Sequence, residues 1–339
     1  MKVAIALSSG IDSSVAAALL KKRGYPLVGV SFSNGYFIAE DAERLKDICK
    51  KLKIPLKIFD LSKEFEKLVV NPFVESYLRG ETPNPCVICN KEIKFGLLAN
   101  LAFKLGVEAF ATGHYVSIGE YKGNLLFKKG KDPQKEQSYF LGLVPKSVIP
   151  KLIFPLGEYE KVEVKRLYYE IFKKLPKKES QDVCFFKGKG LKGFLETKVP
   201  SRKGPIVYKG KVVGSHPGFY YFTIGQRKGL RVRLGKPVYV VRVVPEKNKV
   251  VLGEESELYE DEFVVRAVNL FLPIDCWGKI KAKIRYRSKE IVVKRIELKE
   301  EKLLVKLAEK ARGITPGQLC AFYEEDFLVG AGIIDSSHR

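Results

Sequence analysis

Short apolar runs at 3–7, 27–32, 56–60 and 108–115 alternate with helix-period stretches of ten or more residues. Strands joined through helices of that length need crossover connections, which are right-handed and cover both faces of a parallel sheet. The alternation therefore restricts the first half of the chain to an α/β fold. It also restricts where a ligand binds, because an open parallel sheet offers the carboxyl ends of its strands. Past about residue 190 the pattern changes. Residues 198–253 are rich in Gly, Pro and β-branched side chains, and from 257 onward short strands such as FVVRAVNLF and GKIKAKIRY are spaced by turns. That spacing is of barrel type. The expected architecture is α/β, with a parallel-sheet domain over 1–190, a small β-rich central domain over 191–255 and a C-terminal β-barrel over 256–339.

Lysine and arginine total 61 against 39 acids, a net charge of +22. A lysine-rich thermophilic surface would balance its charges, so an excess of this size points to a polyanionic partner and to nucleic acid first. With 45% hydrophobic residues the chain can bury a large core, which excludes a disordered tail. No run approaches the roughly 18 apolar residues of a membrane span. The apolar run at the N-terminus is about five residues long and leads into a polar turn, as a first strand does and a signal peptide does not. A cytosolic protein is expected.

Directly after the first strand comes Ser8-Ser9-Gly10-Ile11-Asp12-Ser13-Ser14, which opens a helix. A helix N-terminus at the carboxyl edge of a parallel sheet is an anion site. Gly10 allows close approach of the backbone to phosphate, the serines offer hydroxyls, and Asp12 is placed to hold Mg²⁺ on a leaving pyrophosphate. The Walker lysine is absent, so a kinase-type loop is excluded. An ordinary capped turn is the plain alternative. The segment resembles the PP-loop of ATP pyrophosphatases, usually SGGxDS, with Ser9 in place of the second glycine. Such enzymes cleave ATP between its α and β phosphates and adenylate an oxygen.

Of the six cysteines, Cys49 lies on the apolar face of a helical pattern, and Cys276 and Cys320 lie in strand-like runs. All three are expected to be buried filler. The other three fall in specific segments: TPNPCVICN (82–90) and ESQDVCFF (179–186). Together with ATGHY (111–115), EQSYF (136–140), FTIGQRKGL (222–230), RYR (285–287) and TPGQLCAFY (315–323), these segments closely resemble the tRNA-specific 2-thiouridylase family over nearly the whole chain. The resemblance implies that Ala6, Leu7, Ser8, Ser9, Gly10, Ile11, Asp12 and Ser13 bind ATP phosphates, with the backbone near Phe32 and Gly113 holding the adenosine. It places Asn84, Pro85 and Cys86 against the target base. It gives His114, Lys135, Glu136, Gln137, Arg285, Tyr286 and Gln318 to tRNA contact. Cys89 matches the first catalytic cysteine and Cys184 the cysteine that carries sulfur as a persulfide. The implied partners are tRNA and an upstream sulfur donor, protein or sulfide, with neither DNA nor a membrane.

The implied reaction is ATP-dependent 2-thiolation of a wobble uridine. Adenylation turns the C2 oxygen into a leaving group, and sulfur displaces AMP. Thiolates suit the displacement, and lysine-rich surroundings are expected to lower their pKa. One position departs from the family: the usual aspartate of NPDxxCN is Cys86 here. The resulting CxxC plus Cys184 resembles the three ligands of iron–sulfur-dependent tRNA thiolases. Cys86, Cys89 and Cys184 are therefore expected to hold a [4Fe-4S] cluster with one iron left open, while persulfide transfer needs only Cys89 and Cys184. Two other functions compete. A PP-loop synthetase for a small molecule explains residues 8–14 but neither the charge nor the cysteines. A non-catalytic RNA-binding protein explains the charge but leaves 82–90 and 179–186 idle.

Overall fold

The computed structural model describes residues 1–173 and 183–337; Glu179, Ser180, Gln181 and Asp182 of the second cysteine segment lie outside them. The chain opens with β1 (Val3–Ala6), α1 (Ile11–Lys22), β2 (Leu27–Ser33), α2 (Ala39–Leu52), β3 (Leu56–Asp60) and, after two longer helical segments, β4 (Ala109–Ala111). A hairpin, β5 (Val116–Tyr121) and β6 (Asn124–Lys129), then leaves the sheet before β7 (Leu152–Ile153) returns to it. The sheet order is β3-β2-β1-β4-β7, all parallel. Its fifth strand, two residues long, was not legible as a strand.

β1 sits in the middle and is apolar at every position because both its faces are covered. Its side chains alternate between two cores. Val3 and Ile5 pack with α1, α2 and helix Lys161–Phe172, whereas Ala4 packs on the helical segments 62–78 and 85–103. Both of those segments contain wide turns with i→i+5 spacing, Glu66–Val70 in the first and Cys89–Leu98 in the second. In the first, Pro72 lacks the N–H that a regular turn would use, and the wide turn just before it absorbs the defect.

The hairpin is the main departure from the expected order. It lies within the α/β part of the sequence but pairs with the last strand of the chain, Phe327 opposite Lys128. The central region forms a four-stranded mixed sheet from β8 (Gly204–Tyr208), β9 (Lys211–His216), β10 (Tyr239–Val244) and β11 (Lys249–Gly253), in the order β10-β11-β8-β9. The C-terminal strands are β12 (Tyr259–Leu270), β13 (Ile280–Lys283), β14 (Ile291–Lys299), β15 (Lys302–Arg312), β16 (Leu319–Glu324) and β17 (Phe327–Ser337). They run β12-β15-β14-β13-β16-β17, and a β12–β17 pairing closes the ring into a barrel. Cys49 and Cys320 are buried as expected, but Cys276 is exposed. Pro273 and Gly278 interrupt its apolar run, and Cys276 sits on the short helical turn Ile274–Cys276 instead of in a strand. Among the described residues no helix is long and apolar enough to cross a membrane.

Candidate active site

The loop after β1 is held by its own hydroxyls. Ser13 Oγ donates to Gly10 O (3.1 Å) and accepts from Ser8 N–H (3.2 Å), while Ser14 Oγ donates to Gly10 O (2.8 Å). Ser9 adopts φ +56°, a conformation that the usual glycine would take without strain. Its hydroxyl donates to Asp41 at the start of α2 (3.2 Å). Gly113 meets this loop from β4. A Cβ there would lie 2.7 Å from Ser13 N, so glycine alone lets the two strand ends close together. A cavity of about 210 Å³ results, walled by Ala6, Ser13, Phe32, Lys94, Gly113 and His114 among others. The structure thus brings Phe32 and Gly113, which the resemblance gives to adenosine, to the same cavity as the loop. A larger cleft of about 1340 Å³ runs from Ser8–Asp12 past Lys135, Glu136 and Gln137 to Tyr286 on the barrel.

The segment 82–90 is helical from Pro85. Asn84 caps it by accepting from Cys86 N–H (3.2 Å), and Pro85 occupies the first turn. Cys86 and Cys89 therefore lie three residues apart on one helix face. The wide turn that starts at Cys89 changes what lies above it. With i→i+5 spacing, Lys94 comes over Cys89, and the wide turn also requires Gly96, whose Cβ would sit 2.7 Å from Lys91 O. Cys184 begins a short turn anchored by the buried Phe185 and Phe186, which pack on Phe73 and Phe194. Asn34 Nδ2 lies 3.8 Å from Cys184 Sγ.

The thiols are not in the state expected of them. Cys89 is half-buried, and that burial pushes its thiol up to about 12, with Cys86 and Cys184 adding in the same direction. Burial likewise raises Cys86 and Cys184, and for each Lys94 pulls the other way. Cys86 and Cys184 are nonetheless open to solvent, so they sit at the mouth of a crowded cleft. The expected lowering by surrounding lysines thus reduces to one residue, and desolvation outweighs it. The mutual influence of the three thiols places them in one neighbourhood. Among the described residues, however, no three His, Cys, Asp or Glu side chains are arranged to hold a metal ion.

Several residues assigned to tRNA have structural partners. His114 is buried between Phe95 and Phe154 with Nδ1 2.7 Å from Thr112 Oγ1, and burial holds its imidazole well below its ordinary value, hence neutral. Glu136 is buried and accepts from Ser138 N–H, and Gln137 Oε1 accepts from Tyr115 N–H (3.0 Å). Arg285 donates to Ile224 O (3.2 Å), Gly313 O (2.8 Å) and Thr315, bracketing the central sheet to the barrel. Gln318 donates to Thr82 O (2.7 Å), pinning the cysteine segment. Lys135 and Tyr286 line the open cleft, Tyr286 against Phe140 at 4.4 Å between ring centroids.

Residues 1–188 match the family model described as a tRNA methyl transferase HUP domain, 192–254 the corresponding PRC-barrel domain, and 260–334 an aminomethyltransferase beta-barrel domain. The chain is 41% identical to the tRNA-specific 2-thiouridylase MnmA of Aquifex aeolicus, covering 99% of each. It is 38% identical to that of Caldicellulosiruptor saccharolyticus, again over 99% of each. A third relative, MnmA 2 of Clostridium botulinum strain Hall, is 39% identical over 98% of each. The chain belongs to the tRNA-specific 2-thiouridylase family.

Two side chains of this 2-thiouridylase family member escaped sequence reasoning. Lys161, the first residue of its helix and buried, reaches back to Asp12 Oδ1 at 2.6 Å, and Tyr115 OH donates to the same oxygen at 2.7 Å. Its backbone N–H donates to Asp132 Oδ2 (2.9 Å), and Asp132 also caps the turn leading to Lys135. Lys161 is distant in sequence from the loop it serves, so no spacing could have revealed it. Lys94 was hidden differently: in a regular helix the fifth residue after a cysteine points elsewhere.

Proposed function

We propose that this chain is an ATP-dependent tRNA-uridine 2-sulfurtransferase, releasing AMP and pyrophosphate. One observation carries the reading. Lys94 lines the smaller nucleotide cavity and is also the cation facing Cys86 and Cys89, so the adenylation pocket and the thiols share a wall. A PP-loop synthetase for a small molecule would have no use for the second half of that arrangement. An ATP loop beside thiols serves activation and displacement by sulfur, and methyl transfer would use neither.

In this reading Ala6–Ser13 and the α1 N-terminus take the ATP phosphates, Phe32 and Gly113 flank the adenosine, and neutral His114 walls the pocket. Asp12, which lines the cleft, would hold Mg²⁺, and the ion would supply charge neutralisation for the pyrophosphate. Asn84, Pro85 and Cys86 present the target base, which must leave its stack to reach them. The uridine O2 attacks the α-phosphorus and pyrophosphate leaves. The terminal sulfur of a Cys184 persulfide then attacks C2, and AMP departs. Cys89 thiolate attacks Cys184 Sγ, the S–S bond breaks, and its electron pair stays on the sulfur now bound to C2. The resulting Cys89–Cys184 disulfide is reduced by a small thiol. A donor protein that carries a persulfide recharges Cys184: the Cys184 thiolate attacks the donor's terminal sulfur, and the donor leaves as its thiolate; with sulfide as the source, sulfide instead attacks Cys184 Sγ of the unreduced disulfide, forming the persulfide and expelling Cys89 thiolate.

A four-iron cluster on Cys86, Cys89 and Cys184 has suitable donors, but the three thiols do not converge as a ligand set here, so sulfur delivery is assigned to the thiols themselves. Metal analysis of anaerobically purified enzyme tests this: full thiolation without iron is expected, and activity that tracks iron content would reverse it. The segments 1–190, 191–255 and 256–339 would then divide adenylation and thiolation, support, and tRNA contact. A reducing, cytoplasmic setting fits six free cysteines. Pyrophosphate release strictly dependent on tRNA is the test of the whole reading, and release with no tRNA present would return the chain to the small-molecule synthetases.

A further inference from the structure

The segment Phe222–Leu230, one of those carrying the family resemblance, has no role in the reaction above. It opens an excursion from the central sheet that is closed at its base by Gly225 N–H to Val240 O (2.8 Å) and Val240 N–H to Gln226 O (2.9 Å). Within it Leu230 and Val238 are buried, Val232 and Leu234 are half-buried, and Arg227, Lys228, Arg231 and Arg233 are exposed. Apolar residues and arginines alternate from Leu230 to Leu234, so the backbone turns the former inward and the guanidinium groups out. Arg231 adopts φ +55°, so the display is held even at a conformational cost. Lys236 pairs with Glu254 at 2.7 Å, but none of the four exposed cations pairs with an acid among the described residues. Arg227, Arg231 and Lys236 border a concavity of about 470 Å³.

The surrounding region concentrates charge. Residues 192–254 contain 14 Lys and Arg against 3 Glu and no Asp, half of the chain's +22 on less than a fifth of its length. Clustered unpaired cations repel one another, and a polyanion relieves that repulsion. The base of the excursion also lies beside the reacting segment. Thr223 Oγ1 is 3.4 Å from Thr82 Oγ1, two residues before Asn84, and Arg285 and Gln318 tie the same junction to the barrel. An RNA that delivers a nucleotide to Cys86 and Cys89 has its flanking backbone near this loop.

We propose that loop 227–236 is a second RNA-binding surface that grips the phosphate backbone of the stem flanking the target nucleotide. The proposal rests on the tRNA-thiolation reading. Its contacts are positioning contacts and carry no base specificity. The test is the triple variant Arg227→Gln, Arg231→Gln, Arg233→Gln, first checked for unchanged thermal melting. Its affinity is measured across a salt series for full-length substrate tRNA and for a short single-stranded oligonucleotide carrying the target uridine. Affinity for the tRNA should fall at least about tenfold, and the log–log salt slope should shrink by about 2 to 3, as for three lost phosphate contacts. Oligonucleotide binding and tRNA-saturated pyrophosphate release should not change. Equal loss for both RNAs, or no loss for either, overturns the proposal. So does unaltered tRNA affinity with thiolation lost only when a sulfur-donor protein supplies the sulfur, which would make the loop a protein-docking surface. If the unsubstituted enzyme fails to thiolate tRNA at all, the functional reading falls instead.

Discussion

At the residue scale the site is governed by desolvation. Burial holds the Cys89 thiol up to about 12, so its thiolate fraction is small at neutral pH and rises with pH. Alkylation of Cys89, followed by mass spectrometry, should accelerate by about tenfold per pH unit on the alkaline side of neutrality. Lys94→Met should slow it at every pH, because the cation facing the thiol is lost; a plateau near neutral pH would show the thiol to be already ionised. The second residue-scale prediction concerns Lys161. Removing it as Lys161→Met leaves the Asp12 carboxylate without its 2.6 Å partner, part-buried beside the phosphate loop. A loss of about 1–3 kcal/mol in unfolding free energy is expected, because the part-buried carboxylate loses its cation and keeps only the Tyr115 hydroxyl. Pyrophosphate release should suffer more than tRNA affinity. Unaltered melting and turnover would make the pair incidental.

At the element scale, position depends on places where only glycine fits. Gly113→Ala would put a Cβ 2.7 Å from Ser13 N and force β4 away from the start of α1. Displacements of about 1 Å cost as much as a hundredfold in rate, so ATP turnover should fall by about one to two orders of magnitude with tRNA binding intact. Equal loss of both would mean the domain had misfolded. The parallel sheet, its two helix layers and the barrel were legible in the sequence because hydrophobic period reports burial directly. Other features were not. The helical start at Pro85 was missed although Asn84-Pro85 is a good cap, because a cysteine-rich Pro segment reads as a loop. The wide turn at Cys89 leaves no periodic signature, and with it Lys94 was lost. The β5–β6 hairpin reads locally like any hairpin, and its pairing with β17 is a long-range fact. The same holds for Arg285, whose exposed-looking RYR motif hides a bracket between central sheet and barrel.

At the scale of the whole molecule, three parts meet around Thr82, whose hydroxyl touches Thr223 of the central region and whose carbonyl accepts from Gln318 of the barrel. The charge of +22 should make tRNA affinity fall steeply with salt, each neutralised phosphate adding about 0.7–0.9 to the log–log slope. A flat response would remove charge as the basis of recognition. The shared wall at Lys94 makes a stronger demand, that activation and sulfur transfer are successive steps on the same bound RNA. The most direct measurement follows pyrophosphate and 2-thiouridine together, in one reaction holding ATP, Mg²⁺, a sulfur donor and substrate tRNA. The account predicts equimolar pyrophosphate and 2-thiouridine, and neither product when tRNA is omitted or when Cys184→Ala is combined with Cys89→Ala and tRNA is absent. With tRNA present, that double variant should release pyrophosphate and form no thiouridine. Thiouridine formed at full rate by the double variant, or pyrophosphate released at full rate without tRNA, would contradict it.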